Sequence, residues 1–157
     1  MKKYSVLFVC TGNICRSPTF EGVLNKLIVN NGLSDNIVAD SAGIHGYHVG
    51  EIADKRSILH AKKRGYDLSM IKSRKINEED FFKFDLILAL DIGHFNHLID
   101  LVPDNLNSKV KLFLPYIGNE SFQDVPDPYY GNDKDFELVL DLAEAGAIKL
   151  LEKIKLV

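Results

Sequence analysis

The sequence predicts an α/β fold, a three-layer sandwich with a central four-stranded parallel sheet and helices on both faces. Three observations carry this prediction. Apolar, β-favouring runs alternate along the chain with stretches of helical periodicity, the order that yields parallel strands joined by right-handed crossovers. One of those runs, 84–90, is apolar at nearly every position, as in a strand covered on both faces. The first run leads straight into a tight loop and a helix, and folds of this class place ligands at such carboxyl ends of strands.

The elements follow in order. Tyr4-Ser5-Val6-Leu7-Phe8-Val9 reads as a buried first strand. A helix is expected over 17–30, with Phe20, Val23, Leu24, Leu27 and Ile28 on one side, Ser17 as its N-cap and Pro18 in its first turn. A second strand is expected over 36–42 and a helix over 53–64. A short helix, 78–83, precedes the third strand at 84–90. Then come a helix over 92–102, a fourth strand over 109–114 and a last helix over 136–154. That helix carries Val139, Leu142, Ala143, Gly146 and Leu150 at helical spacing. No repeat, low-complexity tract or linker interrupts the series, and 157 residues suffice for one domain with a proper core, so 1–157 is expected to form one domain.

Composition narrows the function. A hydrophobic content of 46% and a charged content of 26% are ordinary for a globular protein. The net charge of −3 argues against nucleic acid as a partner, since its binders carry a basic excess. Met1-Lys2-Lys3 and the six mostly apolar residues after it are too short for a signal peptide, and no run approaches the ~18 apolar residues of a membrane span. A cytoplasmic protein that does not engage a membrane is the expectation. The two cysteines, Cys10 and Cys15, match neither a disulfide scaffold nor a zinc site.

The chemistry concentrates in Cys10-Thr11-Gly12-Asn13-Ile14-Cys15-Arg16-Ser17-Pro18, set between the first strand and the first helix. A helix N-terminus offers free N–H groups and positive potential, which favour an anion. Successive loop N–H groups form a nest for phosphate oxygens. Gly12 and Asn13 tolerate the backbone angles that such a loop needs. Arg16 can grip two phosphate oxygens in a fork that lysine cannot copy. The same field favours a thiolate, the nucleophilic form of cysteine, at Cys10. A buried, inert cysteine is the competing reading of Cys10 alone, and for Cys15 an inert core thiol is the plainer role.

A second segment, Val125-Pro126-Asp127-Pro128-Tyr129-Tyr130-Gly131, supplies an acid. A phenol with a pKa of ~10 leaves poorly as its anion, so a group must protonate the leaving oxygen. Asp127 is stiffened by two prolines, and Tyr129 and Tyr130 can wall a slot for an aromatic ring. Asp124, Asp127, Asp133 and Asp135 lack the calcium-loop pattern, which needs a glycine and a terminal glutamate at set places. His94 and His97, one helical turn apart behind Asp91, read as a solvated helix face rather than a metal site. His45 and His48 fall in the loop after the second strand, on the rim of the expected site.

Taken together, these segments resemble the low-molecular-weight protein tyrosine phosphatases. The likeness rests on Val9 to Pro18 and on Asp127-Pro128-Tyr129-Tyr130. Asp40-Ser41-Ala42-Gly43, Glu79-Asp80-Phe81 and Phe84 to Asp91 fit the same order. The resemblance implies that Cys10 is the nucleophile and that Arg16 and the loop residues Thr11, Gly12, Asn13, Ile14 and Cys15 bind phosphate. It implies that Ser17 hydrogen-bonds the thiolate, that Asn13 holds the loop with Ser41, and that Asp127 is the general acid. Tyr47, Tyr129 and Tyr130 would line the substrate slot. The implied partners are phosphotyrosyl proteins or peptides, with phosphate or another oxyanion in the loop and no metal or other cofactor. Cys15 would capture an oxidised Cys10 as a disulfide.

The chain departs from the family pattern at three places. Ile71 stands where many members carry a histidine that supports the loop asparagine, His94 where an asparagine is frequent, and Thr11 where leucine or valine is frequent. Three rival functions remain in view: a phosphoarginine phosphatase, which Ile14 disfavours by crowding a guanidinium-type substrate; a thiol-coupled arsenate reductase, which needs further cysteines; and a phosphate-binding module without turnover.

Overall fold

The computed structural model describes residues 2–155; Met1, Leu156 and Val157, which the expected 1–157 domain includes, lie outside the described residues. Its four strands are β1 (Tyr4–Cys10), β2 (Ile37–Gly43), β3 (Leu86–Ala89) and β4 (Val110–Leu112). They form a parallel sheet in the order β2-β1-β3-β4. The helices are α1 (Arg16–Asn30), α2 (Lys55–Lys63), α3 (Glu78–Lys83), α4 (Ile92–Leu101), α5 (Phe113–Tyr116) and α6 (Asp133–Lys155). A 3₁₀ turn over Asp104–Lys109 leads into β4.

Alternation along β1 makes the three layers. Val6 and Phe8 face one side and join a core with Phe20 and Leu24 of α1, Phe113 of α5 and Leu150 of α6. Leu7 and Val9 face the other and pack with Phe81 of α3, Ile87 of β3 and Leu98 of α4. Successive strand side chains point to opposite faces, so one apolar strand serves both cores. On the first side Phe8, Phe20 and Phe113 form an aromatic triangle with ring centroids 5.1–5.7 Å apart. Gly146 of α6 makes room for it: a Cβ there would lie 2.7 Å from Phe113 Cζ.

Boundaries differ from the sequence reading where local chemistry intervenes. α1 begins at Arg16 with Cys15 at its N-cap, so Ser17 is its second residue and not its cap. The Ser17 hydroxyl is turned to the Cys10 sulfur instead. β3 stops at Ala89, and Asp91 caps α4 by accepting from the His94 N–H at 2.8 Å. The apolar run at 109–114 yields only three strand residues, because Phe113–Tyr116 turns into a short helix. α6 starts three residues early, with Asp133 and Asp135 in a first turn that favours acidic side chains.

Candidate active site

β1 ends at Cys10 and α1 begins at Arg16, so the intervening loop hangs from two buried elements. The loop's carbonyls are tied to the protein behind it. Cys10 O accepts from Ile44 N (2.9 Å), Thr11 O from His45 N (3.0 Å) and Ile14 O from Asp54 N (2.7 Å). Gly12 O accepts from the Ser73 hydroxyl at 2.8 Å. Gly43 permits this close approach, since a Cβ there would meet Gly12 C and Thr11 O at 3.0 Å. With the carbonyls directed backward, the N–H groups of Gly12 to Cys15 are left without a protein acceptor among the described residues. Such a ring of free donors at a helix N-terminus is an anion site.

Asn13 holds the turn. It is the one non-glycine residue with positive φ, 58°, among the described residues. Its Nδ2 donates to Ser17 Oγ at 2.8 Å and to Ser41 Oγ at 2.9 Å, and its Oδ1 accepts from Arg74 N at 3.0 Å. Both amide protons and the carbonyl oxygen of Asn13 are thus engaged, although Ile71 stands where many family members carry a histidine. Two Ser17 groups converge on the Cys10 sulfur, the hydroxyl at 2.9 Å and the backbone N–H at 3.5 Å.

Arg16 is buried and locked. Its Nη1 donates to Asp91 Oδ2 at 2.8 Å and to Val125 O at 3.1 Å, and its Nη2 donates to Thr11 Oγ1 at 3.1 Å. The Thr11 hydroxyl stands 2.8 Å from His94 Nε2. This arrangement overturns the expectation of a solvated face at His94: the side chain is buried, at 6% exposure, and packs against the loop. Because β3 lies beside β1, the first turn of α4 points at Arg16. Burial first, and Arg16 second, push the His94 imidazolium down to about 4 against the attraction of Asp91. His94 is therefore neutral near pH 7 and accepts the Thr11 proton. Burial opposes the charge of Asp91, but the His94 N–H, the histidine itself and Arg16 outweigh it and hold the carboxyl below its usual range. Sequence reasoning missed Asp91 and His94 as neighbours of Arg16. The available signal was an aspartate at the end of the third strand with a histidine three residues on.

Asp127 stands at the mouth, with Oδ2 3.6 Å from Arg16 Nη2 and its side chain half-exposed. Its Oδ1 accepts from Tyr129 N at 3.1 Å, and the segment is pinned by Val125 N donating to Leu90 O at 2.8 Å. Tyr129 and Tyr130 meet edge to face at 4.8 Å, and Arg56 lies over the Tyr129 ring. Opposite them Tyr47, 79% exposed, stacks on His45. A cleft of about 280 Å³ results. Cys10, Thr11, Gly12, Ile14, Cys15, Arg16, Tyr47, Asp127, Tyr129 and Tyr130 all line it, and His48 joins them. Asn13 and Ser17 do not: both are buried, with Ser17 bonded to the Cys10 sulfur and Asn13 bonded to Ser17. The Cys15 thiol is pushed up to about 12 by burial first, then by Asp54 and Cys10, so it stays protonated. Among the described residues no cluster of His, Cys, Asp or Glu is placed to hold a metal ion, and no helix is long and apolar enough to cross a membrane.

The family model for low molecular weight phosphotyrosine protein phosphatase matches residues 5–156. The chain belongs to that family. A relative from Synechocystis is 43% identical over 150 residues, covering 95% of each chain. The crystal structure of a protein tyrosine phosphatase from Entamoeba histolytica, with Hepes in its active site, superposes with a TM-score of 0.93 at 38% identity, covering 98% of this chain and 97% of the other. Vibrio vulnificus Wzb in complex with benzylphosphonate superposes with a TM-score of 0.83 at 33% identity, covering 97% and 99%. Membership in the phosphatase family covers the loop, the Asp127 segment and the sheet that brings them together.

Proposed function

We propose that this phosphatase hydrolyses phosphotyrosine in proteins or peptides through a phosphocysteine intermediate, without a metal. The observation that carries the reading is that Cys10, the loop with its free N–H groups and Arg16 line one aromatic-walled cleft with Asp127 at its mouth. These donors supply the charge stabilisation that a metal gives elsewhere. The benzylphosphonate bound to the Vibrio relative, a benzyl group on a phosphorus oxyanion, has the chemistry that the aromatic walls and the loop suit.

The phosphate enters the nest and the tyrosyl ring lies between Tyr47 and the Tyr129–Tyr130 pair. The Cys10 thiolate attacks phosphorus in line with the phenolic oxygen. A P–S bond forms as the P–O bond breaks, and Asp127 gives its proton to the departing oxygen. The Ser17 hydroxyl steadies the sulfur as the leaving group of the second step. Asp127, now a carboxylate, takes a proton from water as the water oxygen attacks phosphorus. Inorganic phosphate and the Cys10 thiolate result. Asn13 acts by shaping the loop. A cytoplasmic setting, where phosphotyrosyl proteins are made and erased, suits this activity.

The test is phosphate release from phosphotyrosyl and phosphoarginine peptides in chelator. Wild type is expected to turn over phosphotyrosine, and Cys10→Ser to abolish turnover while keeping substrate binding. Asp127→Asn is expected to slow phenyl esters by about 10²–10⁴-fold and esters with acidic leaving groups far less. Equal losses across leaving groups would remove Asp127 from the acid role. A preference for phosphoarginine would overturn the substrate assignment.

A further inference from the structure

Glu21 lies in the second turn of α1, outside the cleft, and takes no part in the steps above. Its Oε1 accepts from Ser41 Oγ at 2.6 Å. Ser41 Oγ accepts in turn from Asn13 Nδ2 at 2.9 Å. The other Asn13 amide proton goes to Ser17 Oγ at 2.8 Å, and Ser17 Oγ stands 2.9 Å from the Cys10 sulfur. One continuous chain of hydrogen bonds therefore joins a carboxyl group to the reacting atom.

The bonds from Arg74 through Asn13 to the two serines have determined directions, and a thiolate at Cys10 fixes the last one. The Arg74 N–H can only donate, and it occupies Asn13 Oδ1, so the Asn13 nitrogen must face the two serines. Each serine accepts from that nitrogen and has one proton left. Ser17 directs its proton to Cys10, and Ser41 directs its proton to Glu21. We propose that Glu21 is a positioning residue for the phosphatase reaction: its carboxylate takes the Ser41 proton, fixes Ser41 as an acceptor for Asn13, and so holds the loop with the Ser17 proton on the Cys10 sulfur. The inference rests on the reading of Cys10 as the nucleophile.

The chain is sensitive because Asn13 is held in the left-handed region by these bonds. Protonation of Glu21 removes the charge that fixes the Ser41 proton on Oε1, and a carboxylic acid can donate to Ser41 as well as accept from it, so Ser41 is no longer held to one orientation. Burial first pushes the Glu21 carboxyl up, to about 7; the Ser41 hydroxyl opposes this, Asp40 adds to it, and Arg74 opposes it. The charged groups that face Glu21 are Asp40 on β2 and Arg74 in the segment before α3. Arg74 is already divided between Asp40 and Asp80, which limits its pull on Glu21. The hold of Glu21 on Ser41 therefore weakens within the neutral range.

The experiment compares pH profiles of kcat and kcat/KM for p-nitrophenyl phosphate in wild type, Glu21→Gln and Glu21→Leu, with Cys10→Ser as the blank. Wild type is expected to show kcat rising through an inflection near neutrality. Glu21→Gln, which can still accept from Ser41 but does not titrate, is expected to lose that inflection. Glu21→Leu, which leaves Ser41 without its acceptor, is expected to lower kcat about 10- to 100-fold across the range. The Asn13 side-chain amide resonances read the same chain without turnover, and should titrate in wild type but not in Glu21→Gln. An inflection kept by Glu21→Gln, or Asn13 resonances that ignore its loss, would overturn the proposal. If Glu21→Leu does not fold, Glu21→Gln decides alone. Asn13 resonances that titrate in a wild-type protein without turnover would leave Glu21 in place and remove Cys10 as nucleophile.

Discussion

Arg16 shows how a long side chain is made rigid by the fold. Asp91, Val125 O and the Thr11 hydroxyl take three of its five donors, so the side chain is held in place with donors to spare. Ordering a long side chain costs about 1.5–2 kcal/mol, and here folding meets that cost. The meeting of Cys10 and Arg16 in one cleft was legible in the sequence, because one loop encodes both at fixed spacing. Asp91 and His94 were not, since their proximity to Arg16 depends on β3 lying beside β1 and leaves no local pattern. His94 carries a prediction of its own. Its folded pKa, about 4, lies below the ordinary histidine value of ~6.5. Between those values the unfolded chain binds the proton more readily than the folded one. The contribution of neutral His94 to stability is thus complete above pH ~6.5 and is lost as pH falls towards about 4. Urea unfolding across this window should show His94→Asn losing less stability on acidification than wild type. Parallel losses in the two proteins would contradict the assignment.

At the scale of elements, the long apolar patterns were read correctly and the ends were not. β1, α1 and α6 have enough periodic residues to declare themselves, whereas β4 is a three-residue strand cut from an apolar run by the helical turn that follows. The reading of Ser17 as a cap failed because serine before proline is a good helix start in isolation, and here its hydroxyl is required by the sulfur. α1 and α6 both pack on the aromatic triangle, and Gly146 sets how closely α6 approaches it. Gly146→Ala should raise helix propensity yet destabilise the protein, because its methyl group would meet the rigid Phe113 ring. The expected net loss is about 1–3 kcal/mol by equilibrium unfolding, with kcat unchanged. A gain in stability would show that α6 can move away without cost.

For the whole molecule, the order β2-β1-β3-β4 gathers residues distant in sequence at one end of the sheet. The loop after β1, the cap of α4 after β3 and the segment over Val125 to Tyr130 all close on Arg16. The sequence pointed to the carboxyl ends of the parallel strands, and the structure places the loop after β1 there. The sequence did not show that Val125 O would be a partner of Arg16 across 109 positions, because no periodicity reports a contact of that range. β1 is also an interior strand and contributes to the cores on both faces. Cys10 thus stands at the end of a strand buried on both faces, among the elements expected to open last. Inactivation and denaturation should share a single midpoint in urea, with no window in which a loosened but folded enzyme is already silent. Durability of the catalyst and durability of the fold would then be one quantity.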